Sequence, residues 1–270
     1  PPGQPPASQP PDFATQRPEA YRAFLQYVKQ APNGAEVSLG NGLCQDHHVG
    51  DLIACLESWL LRTFGPPSAH GQPWRIGRLD LSKNGLSDQN VAWILGRLKQ
   101  IDVRVRQLCL ASNAVDAKGM AALVEYVWSC QEPLLEIDLA DNAIEVGAQA
   151  AGEDPVSALL RCLYNHSGYP RKVTEKAGVQ VYPLVMRLEG NFIRGGDLLL
   201  RGIQEKTGSR VKLCSSADPY VGGSEEYLAA WLPSFEKQRS LTGGEKGAEA
   251  TGAKAPGPKP NGEGAPPAVK

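Results

Sequence analysis

The residues that could do chemistry are few and scattered. Asp46, His47, His48 and Asp51 bring two imidazoles and two carboxylates together, which invites a metal reading. Adjacent histidines in a strand-to-helix turn point apart, however, and His70 and His166 are remote, so a solvated turn and no metal are expected. Cys109 has no histidine nearby in sequence to activate its thiol. There is no GxSxG nucleophile elbow. Gly195-Gly196 and Gly222-Gly223 are not followed by the Lys-Ser/Thr that a phosphate loop requires. Acidic residues are plentiful, yet no pair stands out as a general acid and base. No catalytic residue and no cofactor are expected, and the chain reads as a binding protein and not as an enzyme.

Composition narrows the partners. Of 270 residues, 41% are hydrophobic and 21% charged, with a formal net charge of −1, which is ordinary for a globular protein. That balance supplies no global field toward nucleic acid or an anionic membrane. No apolar run reaches the roughly 20 residues of a membrane helix. Cys44, Cys55, Cys109, Cys130, Cys162 and Cys214 are spread out with no CxxC. Reduced, buried thiols are expected, which suit an intracellular and cytoplasmic protein. Because the chain begins with Pro1, a processed N-terminus and an organellar address stay open.

The elements that would position any site follow from a repeat. Residues 1–18 are Pro-rich and expected to be disordered or extended. Glu19 to Gln30 reads as an amphipathic helix with Tyr21, Phe24, Leu25 and Val28 on one face. Residues 239–270 are rich in Gly, Ala, Pro, Lys and Glu and are expected not to fold. Between them, in a domain spanning 19–238, one frame recurs. It runs Ile76, Leu79, Leu81, Asn84, Leu86, then Val105, Leu108, Leu110, Asn113, Val115. It returns as Leu134, Ile137, Leu139, Asn142, Ile144 and as Pro183, Met186, Leu188, Asn191, Ile193. Asn84, Asn113 and Asn142 stand 29 residues apart, and the next step is 49. Helical patterns follow each copy, including Val49 to Phe64 after a degenerate first unit at Val37–Leu43. Val211–Cys214 reads as a degenerate last unit with Ser216 in place of Asn, followed by a capping helix from Glu225 to Phe235.

An asparagine amide offers donors and acceptors to the backbone of adjacent turns, so Asn84, Asn113, Asn142 and Asn191 are expected to form a structural ladder. This LxxLxLxxNxL frame resembles the ribonuclease-inhibitor-like leucine-rich repeats over roughly residues 34–216. The resemblance implies an α/β leucine-rich-repeat solenoid with parallel concave strands and convex α-helices, a short array of about four clear repeats plus two degenerate ones. It also implies a protein-interaction scaffold or adaptor, in the setting of a larger assembly. The alternative it offers is a GTPase-activating protein of the Ran type, which uses the same repeat.

Strand alternation places the residues between the leucines on the concave face. The candidates there are Arg78, Asp80, Gln107, Cys109, Glu136, Asp138, Arg187 and Glu189, with Ser38, Ser82, Ala111, Ala140 and Lys212 beside them. The middle is acidic and framed by Arg78, Arg187 and Lys212, which suits a basic or mixed-charge protein. A second candidate is the insertion Asn165–Tyr182, with Tyr169, Arg171, Lys172 and Lys176. Of the aromatic residues, Trp93 is expected in the core, and at least one of Tyr126 and Trp128 at the surface. The partner is expected to be another protein, with no small-molecule substrate, nucleic acid or membrane.

Overall fold

The computed structural model describes residues 13–32, 34–66, 73–147, 154–176, 178–194, 211–221 and 228–235, with residues 199, 201, 202, 205, 237 and 238. The chain divides into two units, Pro1–Ser240 and Leu241–Lys270. Every described residue belongs to the first. The expected disorder of 1–12 and 239–270, the two glycine pairs and most of the pattern at 197–206 lie outside the described residues.

In chain order the elements are α1 (Phe13–Gln16), α2 (Pro18–Leu25), β1 (Val28–Lys29), β2 (Ala35–Ser38), α3 (Val49–Phe64), β3 (Trp74–Asp80) and α4 (Asp88–Gln100). There follow β4 (Val103–Cys109), α5 (Ala117–Ser129), β5 (Glu136–Asp138), β6 (Glu145–Val146), α6 (Pro155–Asn165), β7 (Arg171–Glu175) and β8 (Gly178–Tyr182). The last are β9 (Leu184–Arg187), β10 (Phe192–Ile193), β11 (Val211–Leu213), β12 (Tyr220–Val221) and β13 (Leu228–Trp231).

Eight strands form one sheet in the order β1-β2-β3-β4-β5-β9-β13-β11, beside a pair β10-β6 and a trio β12-β8-β7. All pairings in the large sheet are parallel except β1 with β2. Burial along the strands marks which face is covered. Ile76, Leu79, Val105, Leu108, Ile137 and Met186 are buried. They meet the apolar stripes of the helices, such as Val91, Ile94, Leu95 and Leu98 of α4 and Met120, Leu123 and Val127 of α5. Local chemistry starts and stops these helices. Ser87 Oγ accepts the Asn90 N–H at 3.3 Å to cap α4, and Asp154 Oδ1 accepts the Ser157 N–H at 2.7 Å ahead of Pro155 in α6; both are N-cap bonds. Gly65 ends α3 at φ 77°, a left-handed value that glycine adopts without strain.

The strand order corrects the expected leucine-rich-repeat solenoid. Units stacked in chain order would set β11 against β9, but β13 lies between them and pairs with both. β1 runs antiparallel at the other edge, and two small sheets stand apart from the large one. The fold is a mixed α/β arrangement with an eight-stranded, mostly parallel sheet. Beyond β13 the chain bonds the turn that follows β9. Gly190 N–H donates to Lys237 O, and Asn191 N–H donates to Gln238 Oε1 at 3.2 Å. Accordingly Leu228–Trp231 is a strand where a capping helix is expected.

Three smaller expectations are corrected as well. Phe13–Gln16 is a helical turn and not part of an extended segment, held by a 3.1 Å bond from Phe13 N–H to Ser58 Oγ and by burial of Ala14. The amphipathic helix stops at Leu25, and Val28 enters an edge strand. Trp93 is 46% exposed. The buried positions of α4 run through Val91, Ile94, Leu95 and Leu98, and Trp93 is turned off that stripe.

Candidate functional site

The four repeated asparagines bind backbone, each bridging two turns. Asn84 Nδ2 donates to Leu39 O at 2.8 Å and Leu81 O at 2.9 Å, while its Oδ1 accepts Cys44 N–H at 3.1 Å. Asn113 Nδ2 reaches Leu81 O and Leu110 O, both at 3.0 Å, and its Oδ1 accepts from Asn84 and Leu86 at 3.2 and 3.0 Å. Asn142 repeats the pattern with Leu110 O and Leu139 O as acceptors and the N–H groups of Asn113 and Val115 as donors. Asn191 Nδ2 donates to Leu139 O and Leu188 O, and Oδ1 accepts from Ile144 at 3.2 Å. With their amides engaged in this way, these side chains position the turns and are not presented to a ligand.

The face of the sheet turned away from the helices holds the remaining candidates in registered rows. One row crosses Arg78, Gln107 and Glu136 and continues to Val185; the other crosses Asp80, Cys109, Asp138 and Arg187. Arg78, Asp80, Gln107, Glu136, Asp138, Arg187 and Glu189 are all half-buried. Arg78 Nη2 contacts Asp80 Oδ2 at 3.2 Å, and Arg187 Nε contacts Glu136 Oε1 at 3.4 Å. Gln107 Nε2 donates to the other oxygen of Glu136 at 3.4 Å. The framing arginines therefore turn inward onto the acids. Lys212 has its ammonium 4.3 Å from the centre of the Tyr220 ring, a cation–π distance.

The two aspartates of the second row sit in opposite electrostatic states. Burial raises the Asp80 carboxyl pKa, but Ser82 Oγ and N–H and the Arg78 guanidinium outweigh it and leave the value lowered. Asp138 is raised, chiefly by burial, with Glu189 and Glu136 adding to it against the Ala140 N–H and Arg187. Cys109 lies between them and is only 2% exposed, so it is not the open-face residue that alternation suggests. Burial first, and then Asp80, Glu136 and Asp138 against the opposing Arg78, push its thiol up to about 12. Such a thiol is not a nucleophile at neutral pH.

The insertion candidates do not converge. Tyr169 packs against the core and donates its hydroxyl to Leu134 O at 3.0 Å. Arg171 lies 4.7 Å from the centre of the Tyr182 ring across the β7–β8 hairpin, while Lys172 and Lys176 are exposed. Beside Tyr169, the buried His166 accepts Gly168 N–H at Nδ1 (3.0 Å) and donates Nε2–H to Cys130 O. Asp46 accepts Ser87 N–H at 2.8 Å, and His47 and His48 are exposed. Among the described residues no group of three or more His, Cys, Asp or Glu could hold a metal ion. No helix among them is long and apolar enough to cross a membrane.

Sequence reasoning did not single out the groove where α5 and α6 meet, lined by Val124, Trp128, Ala158 and Cys162. Its signal was the helical spacing of Val124 and Trp128 on one face of α5. Tyr126 is buried, with its hydroxyl between Val105 N–H and Val103 O, each at 3.0 Å. Trp128 is 61% exposed. The chain matches no family model, no curated protein and no solved structure.

Proposed function

We propose that the chain is a protein-interaction module, serving as a scaffold or subunit of a larger assembly, and that the open face of its large sheet receives a basic segment of the partner. The observation that carries this reading is the pair of registered polar rows. Asp80, Glu136 and Asp138 stand with Arg78 and Arg187 there, and Glu189 follows just past the end of β9, all half-buried and with carboxylates in excess. A partner's Lys or Arg side chain would relieve the crowding of carboxylates around Asp138. Complementary charge of this kind sets orientation and association rate more than affinity. The recurring frame and its asparagine bonds support kinship with the leucine-rich-repeat proteins at the level of the single repeat. Six cysteines without a disulfide, all but Cys214 buried, favour a reducing compartment inside the cell.

Cross-linking of the affinity-purified chain, followed by the double reversal Glu136→Lys and Asp138→Lys, tests the reading. Cross-links to the partner are expected beside β4, β5 and β9, and the reversal is expected to slow association and abolish capture. A partner retained unchanged by the reversed chain would remove the open face from the account.

A further inference from the structure

The helical layer presents a second surface, on the side of the fold away from the two charged rows. Between α5 and α6 runs a groove of about 330 Å³. Trp128 and Val124 form one wall, and the small side chains of Ala158 and Cys162 form the other. Trp128 leaves 61% of its surface in water. A large aromatic side chain beside an unfilled apolar recess is the composition of an interface hot spot. The charges at the rim indicate what fills it. Glu125 stands on the α5 side and Arg161 on the α6 side, both exposed. Glu125 contacts Lys99 at 3.1 Å, but both side chains are well exposed, so that pair contributes little and can exchange.

Opposite charges on opposite rims make the groove complementary to itself. A two-fold axis along it sets each copy's Glu125 against the Arg161 of the other, and lets each Trp128 enter the other's recess beside Ala158 and Cys162. Such a self-matching patch is what an isologous dimer requires. The geometry points to a homodimer formed through the α5–α6 groove. This surface is separate from the sheet face, so either reading can fail without the other.

Sedimentation equilibrium of the full chain decides it. The wild-type chain is expected to show a concentration-dependent monomer–dimer equilibrium. Trp128→Ser is expected to be monomeric where the wild type is dimeric, with unchanged far-ultraviolet circular dichroism because the side chain is exposed. Glu125→Arg or Arg161→Glu alone places like charges together and is expected to raise the dimer Kd about tenfold or more. The two reversals in one chain recreate the reciprocal pairs and are expected to restore it to within about threefold. The charge variants carry the test should Trp128→Ser fail to fold. A wild-type chain that is monomeric at every concentration leaves the groove to a different protein and overturns the proposal. A dimer unaffected by Trp128→Ser, or a double reversal no tighter than either single one, overturns it equally.

Discussion

Asp88 Oδ1 accepts a hydrogen bond from Gly119 N–H at 2.7 Å, so a side chain in the first turn of α4 caps the next helix, α5. The same oxygen accepts Asp116 N–H at 2.7 Å, and Oδ2 accepts Lys118 N–H at 3.1 Å. The residue at the N-cap of α5 itself, Asp116, makes no side-chain cap bond. A carboxylate at a helix N-terminus also meets the positive end of the helix dipole. One unit earlier, Asp46 holds Ser87 N–H ahead of α4. These bonds tie neighbouring units together on the helical side, as the asparagines do below the strands.

Gly119 is glycine because of this bond. A Cβ there would stand 2.7 Å from Asp88 Oδ1 and 3.0 Å from Val115 Cγ1. Gly119→Ala is therefore expected to destabilise by about 1–2 kcal/mol, although alanine is the better helix former by roughly 1 kcal/mol. Asp88→Ala is expected to cost about 1–2 kcal/mol as a lost cap. With Asp88→Ala in place, Gly119→Ala is expected to become close to neutral, because the carboxylate it displaces is gone. Urea denaturation of the four chains measures the coupling, and strict additivity would sink the explanation.

Asn142 is a fully enclosed ladder position, at 1% exposure against half-burial for Asn113. Replacing it with Ala or Leu leaves the N–H groups of Asn113 and Val115 without their acceptor, while the carbonyls of Leu110 and Leu139 keep the bonds they take from Asn113 and Asn191. Each buried orphan costs about 1–3 kcal/mol, so a loss of about 3–5 kcal/mol is expected, with Leu no better than Ala. Thermal unfolding followed by circular dichroism reads it. A leucine that restores stability would mean that volume, and not hydrogen bonding, holds this position.

The repeat was legible because Leu79, Leu108, Ile137 and Met186 recur in one frame and occupy equivalent positions on neighbouring strands. Local pattern could not reveal the intrusion of β13. Tyr227, Leu228 and Trp231 have helical spacing, and their strand exists only because β9 offers an unpaired edge and Lys237 and Gln238 close the turn beyond it. Strand pairing at that separation is a tertiary choice that overrides propensity. Of the candidate face, alternation identified the residues but not their states. It could not say that Cys109 is sealed between Asp80 and Asp138, nor that Arg78 and Arg187 turn back onto acids. The exposure of Trp93 was readable from the buried stripe beside it.

Asp80 and Asp138 are expected to respond oppositely to pH. The folded-state pKa of Asp80 is lowered, so its ionised form stabilises the fold above the ordinary aspartate value, and that contribution is lost as pH falls through the lowered one. The folded-state pKa of Asp138 is raised, so its ionisation destabilises the fold as pH rises from the ordinary value through the raised one. Asp80→Asn is thus expected to weaken the protein at pH 7, with the deficit shrinking only in strong acid. Asp138→Asn is expected to strengthen it at pH 7, with the gain vanishing as pH drops toward the ordinary aspartate value. Its amide oxygen can still accept the Ala140 N–H that Asp138 holds at 3.1 Å. Denaturant midpoints from about pH 2 to about pH 8, spanning the carboxylate range and the strong acid below it, distinguish the two. Parallel responses would contradict the assignment.

The thiols offer the most direct check on the packing. Cys44, Cys55, Cys109, Cys130 and Cys162 are buried, and only Cys214 is partly open to solvent. Burial pushes Cys44, Cys55 and Cys162 up to about 11 and Cys109 up to about 12, so little reactive thiolate exists near neutral pH. A native sample treated with an aromatic disulfide reagent at pH 8 is expected to release one equivalent quickly, and six only after denaturation. Cys214→Ser is expected to remove the fast phase alone. Cys109 carries the sharper half of the expectation, since it lies on the face proposed to bind. If it reacts at the rate of Cys214, the two charged rows do not close over it, and the open face is looser than its registered pairs require.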